Sequence, residues 1–284
     1  MDVLKATEIA RALVSARRRT THLMSYPGEI PATLEEAYQV QDLAIAMCGE
    51  QVRGWKVGLV QPAWRDVAGV ERLVGPIFAP NVWTKSTDGT TPLPVIVGGT
   101  ACVEAEIVLE VGVDIEPGAR AWSLEDARRC LAGLHPAVEL AGSPVAGLNA
   151  LGPIAVASDF GNNAGLLVGP SADVDPDTWA SMRCHTWVDG ELVGSAPVST
   201  IPGGPLEAFR FALETITARG RGLTAGDLIA TGAVTGVHDV VAGQSAHIEF
   251  GDMFDVDIAF VDGSRPGESP RTPSSLCATT HGKN

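Results

Sequence analysis

The sequence has no stretch of about 18 consecutive apolar residues, so no segment is expected to span a membrane. Residues 1–19 (MDVLKATEIARALVSARRR) have the pattern of a basic amphipathic helix and lack the apolar core of a secretory signal. Basic residues are outnumbered, since 20 Lys and Arg against 34 Asp and Glu give a net charge of −14. Such a charge repels nucleic acid and anionic membranes. We therefore expect a cytoplasmic protein that binds neither nucleic acid nor membrane.

Cysteine motifs and nucleotide-binding motifs are also missing. The five cysteines are scattered, with no C-x-x-C pair or metal-like spacing, which indicates reduced thiols rather than a disulfide scaffold or a zinc site. No G-x-x-x-x-G-K-[ST] sequence occurs, and no convincing G-x-G-x-x-G follows a predicted strand. The sequence therefore gives no support to a nucleotide-binding architecture.

Two segments near the start have helical periodicity, residues 2–19 and 33–50. Thr33 is a suitable N-cap for the second helix, with Glu36 three residues on as a capping-box partner. The connecting segment contains two prolines and a glycine and is predicted to be a loop, which we expect to act as a lid over the active site through residues 20–31. Residues 1–50 are thus predicted to form an N-terminal helical arm and lid.

The pattern changes from about residue 51, where short Val- and Ile-rich runs alternate with Gly, Pro and Asp. These runs predict strands, and two segments between them predict helices, SLEDARRCLAGL (123–134) and PLEAFRFALETITARG (205–220). We predict an α+β protein with a β-rich catalytic domain at 51–263. Residues 264–284 have few large apolar residues and are rich in Ser, Pro and Thr, which predicts a disordered tail.

Two glutamates lie two residues apart in the apolar segment 103–110 (VEAEIVLE). In a strand, Glu104 and Glu106 would project from the same face. Such a pair is most often part of a solvated strand face, but here the flanking residues are apolar. Like charges side by side in apolar surroundings are destabilising unless a cation or a proton lies between them. Carboxylate ligands suit Mg²⁺ or Mn²⁺ rather than zinc.

A third carboxylate, Glu139, lies in another short apolar stretch, residues 137–141 (AVELA). Taken alone, it would be interpreted as a glutamate on an edge strand. Lys56 is similarly unusual, because it stands between Trp55 and Val57 in an apolar strand. A structural lysine is the simpler interpretation of Lys56. A strongly acidic enzyme with an anionic substrate needs local positive charge, which a bound cation would supply.

The order of several motifs resembles that of the fumarylacetoacetate hydrolase superfamily. The motifs are GWKVG (54–58), VEAEI (103–107), AVELAGS (137–143), DFGNNAGLLVG (159–169) and TGAVTGVHDVVAG (231–243). Together with EEAYQVQ (35–41), they resemble the branch of 2-oxopent-4-enoate hydratases and 4-oxalocrotonate decarboxylases. The resemblance covers roughly residues 5–260. Each motif alone is weak evidence for this superfamily, and the resemblance is specific because the motifs occur together in this order.

The resemblance implies a fumarylacetoacetate-hydrolase-like body, a mixed β roll or barrel, behind an N-terminal helical segment. It also implies that Glu104, Glu106 and Glu139 bind one Mg²⁺ or Mn²⁺ ion. Further roles are assigned by motif: catalysis to Lys56 and Asp159, and substrate binding to Asn162, Asn163, Thr235 and His238.

The chemistry follows from a bound cation, because a 2-oxo acid chelates a metal through its carboxylate and keto oxygens. The metal then acts as a Lewis acid that stabilises an enolate. We expect a lyase, a decarboxylase or hydratase, that acts on a small unsaturated 2-oxo acid through a metal-bound enolate and assembles as a homo-oligomer. Two alternatives stay open: a C–C bond hydrolase acting on an acylpyruvate, and a diverged ligand-binding protein with little turnover.

Two positions depart from the pattern of the hydratases. Pro80 stands where they usually carry an aspartate, and proline can neither transfer a proton nor bind a substrate hydroxyl. Phe160 follows Asp159 where the pattern has an asparagine. Both changes put hydration in doubt, and decarboxylation survives them best because it needs no activated water.

Overall fold

The structure is a computed structural model that describes residues 1–172 and 176–264, with only the backbone of 176–178. The predicted tail, 264–284, therefore lies outside the described residues except for Ser264, and so does Cys277. No helix within the described ranges is long and apolar enough to cross a membrane.

In the described residues, two helices precede the first strand and the other helices lie between strands. The helices are α1 Val3–Arg18, α2 Leu34–Cys48, α3 Arg65–Ala68, α4 Leu124–Arg129, α5 Pro153–Ser158, α6 Pro176–Ser181 and α7 Gly204–Ala218. The strands are β1 Val52–Leu59, β2 Arg72–Phe78, β3 Val82–Thr84, β4 Thr91–Val95, β5 Thr100–Val111, β6 Leu131–Ser143, β7 Asn163–Val168, β8 Arg183–Val188, β9 Glu191–Pro197, β10 Leu228–Ala233, β11 His238–Asp239, β12 Ser245–Phe250 and β13 Phe254–Asp262.

Two sheets form the body, which confirms the predicted α+β class. The larger sheet has the order β2-β1-β10-β5-β6-β7-β3, with β11 paired to β5. The smaller sheet has the order β4-β13-β12-β8-β9. Strands β5 and β6 are the longest and lie at the centre of the larger sheet, buried over most of their length on both faces. Charged side chains in the middle of these two strands therefore lie in the interior.

The two N-terminal helices form where the sequence predicts them. Thr33 caps α2, its hydroxyl accepting a hydrogen bond from the Glu36 amide at 3.2 Å, and the helix is followed by Gly49 as the C-cap, whose φ is +67°. Glu36 does not complete the capping box, because its carboxylate accepts from the Ala32 amide instead. Both helices pack into the same core as β1. The predicted domain boundary at residues 50 and 51 falls between α2 and β1.

The predicted lid segment, 20–31, is attached to the body at two places. The Leu23 amide donates to the Pro144 carbonyl at 2.6 Å, and the Ala146 amide donates to the Leu23 carbonyl at 3.0 Å. Further along, the Tyr26 hydroxyl lies 2.8 Å from the Ser158 hydroxyl. A role for this segment in closing the site stays a prediction.

The helix predicted at 123–134 is correct only in its first half. Ser123 and Asp126 form a capping box at the start of α4, which ends at Arg129. From Leu131 the chain enters β6, which pairs with β5 from Leu131 opposite Val111 to Ser143 opposite Thr100. The pairing of the two longest strands overrides the local helical pattern.

Candidate metal centre

The register of β5 and β6 assembles the predicted carboxylates. Glu104 lies directly opposite Glu139 in this antiparallel pair, and Glu106 follows two residues along β5. Residues that are paired across strands, or two apart along a strand, share one face of a sheet. As a result, one carboxylate oxygen of each of the three glutamates lies within 4.8 Å of those of the other two.

This cluster is buried: Glu104 is 6% exposed, while Glu106 and Glu139 are 0% exposed. Burial, with the charge of Glu139 adding to it and Lys56 opposing it, raises the pKa of Glu104 to about 7. Burial also raises the pKa of Glu106 well above its ordinary range, and Glu139 and Glu104 add to the effect. These three buried carboxylates repel one another, and a divalent cation bound between them would reduce that repulsion.

Lys56 supplies positive charge at the same place. Its Nζ atom lies 3.1 Å from Oε2 of Glu139, and its side chain is 7% exposed. Burial lowers the pKa of this ammonium, but the charges of Glu139, Glu104 and Glu106 outweigh burial, so the pKa lies above its ordinary value. Lys56 is therefore a buried cation.

The shape of the larger sheet makes this contact possible. Strands β10 and β5 lie between β1, which carries Lys56, and β6, which carries Glu139. In a flat sheet three strand spacings would separate them by about 14 Å. A contact of 3.1 Å therefore requires the sheet to curl around the carboxylates.

Two hydrogen bonds hold the carboxylates in place. The side-chain amide of Asn163 donates to Oε1 of Glu139 at 2.8 Å, and the backbone amide of Gly232 donates to Oε2 of Glu106 at 3.0 Å. Gly232 has a φ of +114° and lies at an irregularity in the pairing of β10 with β5. Among the described residues, Oε1 of Glu106 is buried without a hydrogen-bond partner. A free carboxylate oxygen in a buried set of three fits the oxygen coordination of Mg²⁺ or Mn²⁺.

A cleft of about 400 Å³ leads to this centre. Glu104 and Lys56 line its charged end, and Asn162 and Asn149 contribute amides. The side-chain amide of Asn162 donates to Oδ1 of Asn149 at 3.1 Å, and Oδ1 of Asn162 has no partner among the described residues. This volume is in the usual range for small-molecule sites.

The backbone around Asn162 is unusual. Phe160, Gly161 and Asn162 have φ values of +56°, +64° and +64°, so three consecutive residues are left-handed. Left-handed residues other than glycine are uncommon and are found more often at functional sites. The turn packs on Gly75 of β2, where a Cβ atom would lie 1.9 Å from the Phe160 carbonyl oxygen. It places the Asn162 side chain at the cleft and that of Phe160 in the core.

Asp159 is differently placed from the other predicted site residues. It is 1% exposed, and its Oδ1 accepts from Nε of Arg17 at 2.9 Å while its Oδ2 accepts from the Ser143 hydroxyl. It is not among the residues that line the cleft. Its catalytic role stays a prediction, and the geometry gives it a structural task, which is to attach α1 to the strand ends beside the centre.

Thr235 and His238 also lie outside the lining of the cleft, although the residues between them, Gly236 and Val237, contribute to it. The Thr235 hydroxyl lies 2.8 Å from the hydroxyl of Thr186. His238 is near Gly194, where a Cβ atom would approach Nε2 of His238 to 2.7 Å. Burial lowers the pKa of His238, and a hydrogen bond to the Thr235 backbone opposes that effect. Substrate binding by these two residues stays a prediction.

The two departures from the hydratase pattern have different surroundings. Pro80 is exposed in a short turn, Ala79–Asn81, after β2. Phe160 is 2% exposed, and its ring packs edge-on against Phe78 with centroids 5.1 Å apart. The Arg17 guanidinium lies 5.0 Å from the centre of the same ring. Phe160 is therefore a core residue that supports the ion pair of Arg17 and Asp159.

Three residues near the site were missed by sequence reasoning: Arg17, Trp64 and Asn149. Arg17 stands in a run of basic residues, and Asn149 stands in a turn, so neither has a local pattern that marks it. Trp64 follows GWKVG at a short distance and is 38% exposed, and exposure of an aromatic ring beside a motif is visible only in three dimensions.

The chain is similar to a known protein family and to a named relative. The family described as Fumarylacetoacetate (FAA) hydrolase C-terminal matches residues 75–266. A relative named TodF product hydratase, from Pseudomonas putida (strain F1), is 27% identical over 234 residues, which is 80% of this chain and 81% of the relative.

Solved structures show a similar fold. A 4-oxalocrotonate decarboxylase from Pseudomonas putida G7, complexed with magnesium and adipate, is similar with a TM-score of 0.76 and 20% identity, over 92% of this chain and 99% of the other. A fumarylpyruvate hydrolase from Pseudomonas aeruginosa, in complex with Mn²⁺ and pyruvate, has a TM-score of 0.53 and 16% identity, over 75% and 91% of the two chains.

Proposed function

Since the chain belongs to the fumarylacetoacetate hydrolase family, we propose that it is a divalent-metal-dependent lyase that acts on a small unsaturated 2-oxo acid. The observation that supports the proposal most is the buried cluster of Glu104, Glu106 and Glu139, with Lys56 beside it at the end of a cleft. The three glutamates would hold one Mg²⁺ or Mn²⁺ ion. When bound, that ion supplies a Lewis acid for the keto oxygen and the carboxylate of the substrate.

The charges at the centre suit an anionic substrate. Three carboxylates and a divalent cation sum to one negative charge, and the ammonium of Lys56 brings the sum to zero. Lys56 would hold the substrate anion and stabilise negative charge that develops on the keto oxygen. Such a donor is most effective where water is excluded, and the side chain of Lys56 is 7% exposed.

The other residues of the chain would position ligands and substrate. Asn163 and the Gly232 amide orient Glu139 and Glu106, so that oxygen atoms point at the centre. At the wall of the cleft, Asn162 would accept a hydrogen bond from the substrate through its Oδ1 atom, because its amide group already donates to Oδ1 of Asn149. We retain Asp159 in the proposal as a positioning residue that acts through Arg17.

Within the family, the similar proteins favour a lyase over a hydrolase. The relative at 27% identity is named a hydratase, and the decarboxylase structure matches 92% of the chain. The fumarylpyruvate hydrolase matches 75% of it at the lower TM-score. Cleavage of an acylpyruvate is therefore the second candidate. A cytoplasmic location and a homo-oligomeric state remain predictions.

Product analysis tests the proposal. The full chain is incubated with Mg²⁺ or Mn²⁺ and unsaturated 2-oxo acids, and the products are identified by NMR. A hydroxylated 2-oxo acid or released CO₂ supports the lyase. Pyruvate and a second carboxylic acid from an acylpyruvate would establish the hydrolase instead. Binding of metal and of a 2-oxo acid with little or no turnover would instead support the diverged ligand-binding protein, and failure to bind either metal would overturn the proposal.

A further inference from the structure

The cleft has a charged end and an uncharged end. Among the described residues that line it, only Lys56 and Glu104 carry charged side chains, and both lie at the centre. Strand β1 gives the direction, since Lys56 and Gly58 lie on one face of it and Val60 follows directly after its last residue, Leu59. At about 3.3 Å per residue, Val60 lies up to about 13 Å from Lys56 along the chain. The cleft therefore changes from charged to uncharged and mostly apolar as it leaves the carboxylates.

Trp64 is built into the apolar end. Its ring lies over the start of α5, where a Cβ atom on Gly152 would approach the ring to 2.9 Å. Gly152 also has a φ of +89°, so both its conformation and the ring exclude a larger residue. Pro153 and Val156 of α5 line the cleft beside Trp64. The turn after β1 and the start of α5 thus fit together to hold an aromatic ring at the cleft.

Gln61 is polar but uncharged, and this end has no cation that would hold an anion among the described lining residues. A second carboxylate on a substrate would lose water there and meet no cation among the described lining residues, in a chain with a net charge of −14. An uncharged carbon tail would instead gain by covering apolar surface, including Trp64, which is 38% exposed. Resting on the function proposed above, we infer that the substrate is a monocarboxylic 2-oxo acid with an uncharged apolar tail, and that Trp64 selects for that tail.

The inference also chooses between the two lyase reactions. Decarboxylation that leaves the chelating 2-oxo acid intact must expel a distal carboxylate as CO₂, and a monocarboxylic substrate has none. Hydration of a 2-oxo-3-enoate needs only water. Its oxygen bonds to C4, a proton is added to C3, and the C3–C4 double bond becomes single, with no oxidant or reductant. The cleft therefore favours hydration, contrary to the expectation from Pro80 and Phe160, neither of which lines the cleft.

Binding of two matched ligands tests the inference without turnover. 2-Oxohexanoate and 2-oxoadipate have the same length and the same chelating end, and differ in a methyl group against a carboxylate. Calorimetry on the full chain with Mn²⁺ should show 2-oxohexanoate binding at least about tenfold more tightly. Oxalate, which has no tail, reports on the centre alone.

Trp64→Ala should weaken 2-oxohexanoate binding about fivefold or more, because the tail loses apolar contact, and should leave oxalate within about twofold. Trp187→Ala, on β8 and outside the cleft, is the matched control and should change neither. The inference would be overturned if the two 2-oxo acids bound with equal affinity, if 2-oxoadipate bound more tightly, or if Trp64→Ala left the affinity for 2-oxohexanoate unchanged. In each of these cases, Mn²⁺-dependent binding of oxalate would still support the proposed function. If oxalate shows no Mn²⁺-dependent binding, the proposed function and the inference fall together.

Discussion

The Nζ atom of Lys56 lies 3.1 Å from Oε2 of Glu139, and two further strands lie between the strands that carry them. The pair is buried, with side chains 7% and 0% exposed. A buried ion pair is weak proof of a stabilising role, but removing one partner leaves an uncompensated charge. Replacing Lys56 therefore tests whether this residue acts in catalysis or only stabilises the fold.

Lys56→Met is expected to lower kcat roughly a hundredfold, because loss of one donor in a water-poor site costs about 3 kcal/mol in the transition state. The metal-free variant should also melt at a lower temperature, and Mg²⁺ should restore part of the loss by neutralising the glutamates. Steady-state kinetics and thermal melts with and without Mg²⁺ measure both effects. Lys85→Met is the matched control, since Lys85 forms an exposed ion pair with Asp255. Near-normal kcat in Lys56→Met would make Lys56 a structural lysine.

Glu104→Gln is expected to abolish activity and to weaken Mg²⁺ or Mn²⁺ binding at least about a hundredfold, because an amide oxygen replaces a charged ligand. The fold should survive, since the two side chains have the same shape. Calorimetric titration measures the affinity, and circular dichroism checks the fold. Glu110→Gln is the control, because Glu110 lies on the same strand but pairs with His135 at 3.2 Å. Unaltered metal affinity in Glu104→Gln would remove Glu104 from the ligand set.

The pKa of Glu104, raised from 4.5 to about 7 in the metal-free protein, predicts a dependence on pH. Between these values the folded state holds more protons than the unfolded state, so stability falls as pH rises through 7. Metal binding requires the deprotonated carboxylate, so the affinity for Mg²⁺ should rise as the pH rises from 4.5 to about 7. The increase in melting temperature caused by Mg²⁺ should thus be larger at pH 8 than at pH 5.5. Equal increases in melting temperature at both pH values would contradict the assignment of Glu104 as a metal ligand.

Arg17 joins α1 to the surroundings of the metal centre. Its guanidinium donates to Oδ1 of Asp159 and to the carbonyl oxygens of Asn163 and Gly142, each at 2.9 Å. Arg17→Ala leaves the buried Asp159 carboxylate without its cation, which should cost about 3 kcal/mol in the free energy of unfolding.

Metal affinity should fall as well in Arg17→Ala, because Asn163 orients Glu139. Denaturant titration and calorimetry measure the two effects. Arg18→Ala provides the comparison, since Arg18 donates to the Met47 and Cys48 carbonyls on a more exposed surface. A loss of stability no greater than that of Arg18→Ala would show that Asp159 needs no cation.

Local patterns were sufficient for part of this structure. The helical periodicity of residues 2–19 and 33–50 corresponds to α1 and α2, and the Thr33 cap is present. The helix predicted at 123–134 fails after Arg129, because pairing with β5 outweighs local preference. Asp159 was assigned by motif alone, and motif order carries no information on which side chain faces a cleft.

What the sequence by itself determined is the common face of Glu104 and Glu106, because a strand has a side-chain period of two. It also determined the family, through the order of its motifs. Only the tertiary structure decided that Glu139 lies opposite Glu104, that Lys56 reaches them, and that Trp64 stands at the apolar end of the cleft. Register, sheet curvature and the packing of a turn on a helix depend on contacts between residues far apart in the chain, and no local pattern specifies them.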